Sequence, residues 1–97
     1  MITDNVISRI TELKRICYDE GDIYSEDSLK DLLSFLETNT IIKPNLVVTP
    51  AGNFRATWKD EYYSQFSIEF FGSGIMLNTV RFYGKIFSFR SKILEDN

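Results

Sequence analysis

The sequence predicts a single α+β domain, and three observations carry that prediction. Apolar residues between positions 4 and 38 recur about every 3.6 residues, the repeat of an amphipathic helix. Past Pro44 the repeat shortens to two, as in a strand with one buried face. Gly and Pro then punctuate the chain at short intervals, so successive strands are joined by tight turns and run antiparallel. Helices segregated from strands define the α+β class. The expected architecture is an N-terminal antiparallel helical hairpin packed on one face of a four- to five-stranded antiparallel β-meander.

The first helix is expected over residues 4–20, with Val6, Ile10, Leu13 and Cys17 on its apolar stripe and Ile7 and Ile16 widening it. Thr3 or Asp4 supplies the N-cap, and Gly21 the stop. The second is expected over residues 26–38, opened by Ser25, with Glu26, Asp27 and Asp31 where the helix dipole favours anions. Leu29, Leu32, Leu33 and Leu36 form its predicted buried face, with Phe35 at the edge. The short link from Gly21 to Tyr24 implies the hairpin. Thr40 to Pro44 is the crossing point, because Pro44 cannot continue a helix and restricts Lys43 to extended geometry.

Strands are expected over residues 46–49, 53–59, 64–71, 75–83 and 86–90. Pro50-Ala51-Gly52-Asn53 fits a type I turn followed by a bulge. Phe54, Ala56 and Trp58 alternate with Arg55, Thr57 and Lys59, and Phe66, Ile68 and Phe70 alternate with Gln65, Ser67 and Glu69. Asp60 and Glu61 begin a turn, and Tyr62 and Tyr63 either extend it or start the third strand; Gly72-Ser73-Gly74 makes another turn, and Gly84 a third. Lys92 to Asn97 reads as frayed or a helical stub.

Composition excludes much chemistry. The chain has 97 residues and no histidine. Ser–His and Cys–His nucleophile pairs, histidine bases and most zinc sites are therefore ruled out. Cys17, the lone cysteine, falls on an apolar stripe and cannot make an intramolecular disulfide. The acids between Asp19 and Asp27 miss the spacing of a calcium loop, and Gly72-Ser73-Gly74 lacks the Gly-Lys-Ser/Thr element of a phosphate loop. No catalytic residue, metal ligand or cofactor site is assigned. With no leader-like start and no apolar run of about 20 residues, the expectation is a cytoplasmic protein without a membrane partner.

Charge is uneven. Net charge is -3, which argues against nucleic acid as a partner. Seven acids and one base lie between Asp19 and Glu37, whereas four bases and no acid lie between Arg81 and Lys92. An acidic helical surface suits a protein partner with a basic surface. Tyr62 and Tyr63 suit an interface as amphipathic anchors, and a homodimer would protect a sheet edge. The candidate protein-binding residues are Glu26, Asp27, Asp31, Arg55, Lys59, Tyr62, Tyr63 and Glu69. Two other classes stand beside this reading: a histidine-free nuclease using Arg55, Lys59 and Glu69, and a structural homo-oligomer.

Thr49-Pro50-Ala51-Gly52-Asn53, then Arg55-Ala56-Thr57-Trp58 and Phe66-Ser67-Ile68-Glu69-Phe70, resembles a pattern in small uncharacterised bacterial proteins. There a Thr-Pro-x-Gly turn precedes a strand ending in Trp. Some of those proteins are linked to toxin–antitoxin or phage-related loci, so the resemblance implies an inhibitor, immunity protein or antitoxin that occludes its partner. It implies no functional residue.

Overall fold

A computed structural model describes residues 2–39, 44–59 and 64–93. Helices α1 (Asp4–Glu20) and α2 (Glu26–Thr38) precede strands β1 (Asn45–Val48), β2 (Phe54–Lys59), β3 (Gln65–Phe70), β4 (Ile75–Phe82) and β5 (Lys85–Lys92). The strands form one antiparallel sheet in sequence order, so the protein is α+β. Residues 40–43 of the expected crossing at Thr40–Pro44, the turn at Asp60–Tyr63 and the last four residues lie outside the described residues.

Local chemistry sets the helix ends. Thr3 Oγ1 accepts from the Val6 amide at 3.3 Å. The Gly21 and Asp22 amides donate to the Tyr18 and Cys17 carbonyls at 3.3 and 2.8 Å, closing α1 with Gly21 left-handed at φ 72°. Ser25 Oγ accepts from the Ser28 amide at 3.1 Å and caps α2. The Asn39 amide group donates to the Phe35 carbonyl at 2.8 Å.

The buried arc of α2 is rotated from the sequence expectation. Phe35 is in the core and Leu33 only partly buried. Ser28 explains the rotation. It is wholly buried, donates to the Phe70 carbonyl at 2.6 Å and accepts from the Phe54 amide at 2.8 Å. A helix that aims Ser28 at the sheet carries Phe35, seven residues on, to the same side. Phe35 there meets the rings of Phe70 and Trp58, with centroids 5.6 and 6.4 Å away.

One side of the sheet builds the core. Leu46, Phe54, Ala56, Ile68, Phe70 and Met76 join Val6, Ile10 and Leu13 of α1 and Leu29, Leu32 and Leu36 of α2 in a single apolar cluster. Helix α1 approaches β1, and α2 approaches β2 and β3. Five strands spaced about 4.8 Å apart present a width of roughly 24 Å, whereas two helices at about 10 Å each cover roughly 20 Å. The shortfall falls at β5, which neither helix approaches closely.

Every strand departs from its expected bounds by one or two residues, and the departures at β4 and β5 have a physical reason. The strand expected to end at Tyr83 ends at Phe82, because Tyr83 and Gly84 both have positive φ, 49° and 78°, and form a two-residue turn. Beyond it β5 pairs along the whole of β4, from Phe82↔Lys85 to Ile75↔Lys92, and so outruns the expected 86–90. The β1–β2 turn follows the sequence. The Gly52 amide donates to the Thr49 carbonyl at 2.8 Å, and the Gly52 carbonyl accepts from the Ser25 amide at 2.8 Å, tying the turn to the start of α2.

Candidate functional site

Register assigns every strand residue to a face, since directly opposed residues of antiparallel neighbours share one. On the face away from the helices, Arg55↔Glu69↔Leu77↔Arg90 form one row, Thr57↔Ser67↔Thr79↔Ser88 a second, and Lys59↔Gln65↔Arg81↔Ile86 a third. Hydroxyls therefore run across four strands, flanked on both sides by cations. Thr57 and Ser67 hydroxyl oxygens lie 3.2 Å apart, and those of Thr79 and Ser88 3.3 Å apart. A shallow cavity of about 230 Å³ opens here, lined by Arg55, Gln65, Ser67, Glu69, Thr79 and Arg81 together with Leu77.

Three sequence candidates lie on this face. Glu69 receives the Asn53 side-chain amide at 3.0 Å and stands 3.8 Å from the Arg55 guanidinium, so its carboxylate is spent on the neighbouring strand and turn. Arg55 lines the cavity beside it. Lys59 sits at the exposed end of β2, outside the cavity lining. Tyr62 and Tyr63 lie outside the described residues.

Glu26, Asp27 and Asp31 belong to α2 and lie away from that face. Asp31 Oδ2 accepts from the Gly74 amide at 2.9 Å, which fastens the β3–β4 turn to the helix. Asp27 backs against Gly72, where an added Cβ would stand 2.8 Å from the Asp27 Cβ. Partial burial raises the Tyr24 phenol above its ordinary pKa, and a hydrogen bond with Glu26 adds to the shift. Each of these three acids thus has a neighbour inside the fold, and the structure does not bring them together with Arg55, Lys59 and Glu69.

Sequence reasoning did not pick out the exposed apolar surface of the last two strands. On the helix-side face, Trp58↔Phe66↔Val80↔Phe87 form a continuous cross-strand row, with Phe89 opposite Asn78 in the next. The row starts in the core, where the Trp58 and Phe66 rings stack with centroids 5.8 Å apart, and emerges from under the helices. Phe82, Phe87 and Phe89 are 50%, 59% and 54% exposed. Tyr83 stands out in the adjoining turn, edge-on to Phe82 at 4.3 Å, and Ile86 is exposed on the opposite face. The available signal was geometric: a fifth strand wider than two helices can cover. Asn78 ties β5 to β4 by donating to the Phe89 carbonyl and the Ser91 hydroxyl at 3.3 and 2.7 Å.

A second opening of about 510 Å³ lies between α1 and the edge strand β1, where Cys17, Ile23, Val47 and Pro50 line it together with Glu20, Asp22 and Thr49. Cys17 itself is buried. Charge divides by layer. Residues 2–39 carry nine acids and four bases, whereas the described residues from 44 onward carry six bases against Glu69. Among the described residues no group of three His, Cys, Asp or Glu is placed to hold a metal ion, and no helix is long and apolar enough to cross a membrane. No protein-family model matches the chain, and comparison with curated proteins and with solved structures returned no match.

Proposed function

We propose that this protein is a non-enzymatic protein-binding module that acts by occluding its partner, in the manner of an inhibitor, immunity protein or antitoxin. In this reading the two helices serve as an antiparallel hairpin that screens β1–β3 and leaves the β4–β5 wing for the partner. The wing carries the proposal: Phe82, Phe87 and Phe89 are all half or more exposed on the helix-side face of two adjacent strands, with Tyr83 exposed in the turn between them. Contiguous exposed apolar residues beside charge mark interaction surfaces; Lys85 shares this face, and Arg90 and Lys92 line the same strand from the opposite one. Burying the exposed halves of three phenylalanines, on the order of 300 Å², contributes roughly 7 kcal/mol before the cost of association.

The same cations argue against two copies pairing through the β5 edge, since a strand with three bases and no acid repels its own antiparallel copy. The acidic helices give the partner's basic groups a second, longer-range attraction. The test is affinity capture from the native cell with wild-type protein and with Phe87→Asp/Phe89→Asp. Both substitutions sit at positions more than half exposed, which limits their effect on the fold, and circular dichroism of the variant checks that it is folded. A stoichiometric partner held by the wild type and lost by the double variant supports the reading. A wild type that captures nothing, or a partner retained unchanged by the variant, overturns it.

A further inference from the structure

We propose that the cavity on the helix-free face is a binding site for a tetrahedral oxyanion, a phosphate or sulfate group. The proposal is independent of the protein-binding reading, because the wing and this cavity use opposite faces of the sheet.

The face is strongly positive although the whole chain is acidic. Arg55, Lys59, Arg81, Arg90 and Lys92 share it with one described acid, Glu69. Arg81 makes no ion pair among the described residues. At the cavity, donors of three kinds converge: the guanidinium groups of Arg55 and Arg81, the hydroxyls of Ser67 and Thr79, and the side-chain amide of Gln65. Ser67 and Thr79 are directly opposed across β3 and β4, with Arg81 two residues beyond Thr79 and opposite Gln65. The hydroxyl row therefore lies between the two arginine rows, and both arginines line the cavity with it.

The number of donors selects the ligand. A planar carboxylate is satisfied by one forked guanidinium, whereas a tetrahedral oxyanion presents three or four oxygens for several donors arriving from different directions. Leu77 is the sole apolar residue in the lining, so little there would hold a hydrocarbon or a stacked ring. Glu69 is the built-in competitor. Its separation of 3.8 Å from Arg55 is longer than a charge-assisted hydrogen bond, which leaves Arg55 able to turn toward a bound anion.

The experiment is a titration of the full chain with sodium phosphate, sulfate and acetate at constant ionic strength, followed by the amide NMR signals. Saturable shifts centred on Ser67, Thr79 and Arg81 are expected with phosphate or sulfate, and weaker ones with acetate. Arg81→Ala should weaken binding by about tenfold or more. Ser67→Ala and Thr79→Ala should each weaken it less, and Glu69→Gln should tighten it. Lys85→Ala, on the opposite face, should change nothing. Unsaturable drift, acetate binding as tight as phosphate, or equal losses from Lys85→Ala and Arg81→Ala would each overturn the site.

Discussion

Tyr83 shows how one residue can trade stability for display. Its φ of 49° lies in the left-handed region, which costs an ordinary L residue roughly 1–2 kcal/mol. Two-residue turns of this kind favour Asn-Gly, since Asn tolerates the conformation through local hydrogen bonds. The chain instead places a tyrosine at the tip of the wing, largely exposed and edge-on to Phe82. Tyr83→Asn is therefore expected to raise stability by roughly 0.5–1 kcal/mol in urea unfolding. If Tyr83 serves as an anchor for the partner, the same change weakens capture. A destabilised Tyr83→Asn would show that the ring contributes more through Phe82 than the turn costs.

At the scale of elements, Ser28 is the link between the helical and the sheet halves. One hydroxyl closes the Phe70 carbonyl of β3 and the Phe54 amide of β2, both out of reach of water. Ser28→Ala leaves a buried donor and a buried acceptor unmatched. The expected loss is roughly 2–4 kcal/mol in the unfolding free energy, measured by denaturant titration with unchanged m-value. A loss below about 1 kcal/mol would mean that α2 shifts to admit water. The sequence places Ser28 in a helix but says nothing of strands 26 and 42 positions away. What is legible locally is what local chemistry decides: Thr3 and Ser25 as caps, Gly21 as a stop, Thr49–Gly52 as a turn, and the alternation of β2 and β3. These suffice for the α+β class and strand order. The exposure of Phe87 and Phe89 was not legible, because an apolar strand reads the same whether or not a helix lies over it. The cavity was half legible. Arg55 and Glu69 stood out in the sequence, but Ser67, Thr79 and Gln65 join them through register alone, and register is a property of paired strands.

For the whole molecule, two layers of unequal width and opposite charge have a dynamic consequence. Strands β2 and β3 are held by neighbours on both edges and by α2 above, with Ile68 and Phe70 almost wholly buried. Strand β5 is held by β4 alone, and all but Ser91 of its residues are exposed. Local opening free energy follows buried apolar contact, so β5 can detach without unfolding the core. Native-state amide exchange should show β5 amides bonded to β4 opening at a free energy a few kcal/mol below that of the Ile68 amide. Their exchange should also depend weakly on denaturant, since detachment exposes little new apolar surface. Equal exchange free energies in β3 and β5 would mean that the wing is part of the cooperative unit. In the closed state Asn78 and the Ile93 amide, which donates to the Gly74 carbonyl at 2.8 Å, pin the wing from within. The cations along its edge keep neighbouring copies from adding to the strand. A partner that covers Phe87 and Phe89 should then slow β5 exchange toward the β3 value, which reads the proposed interface without mutation.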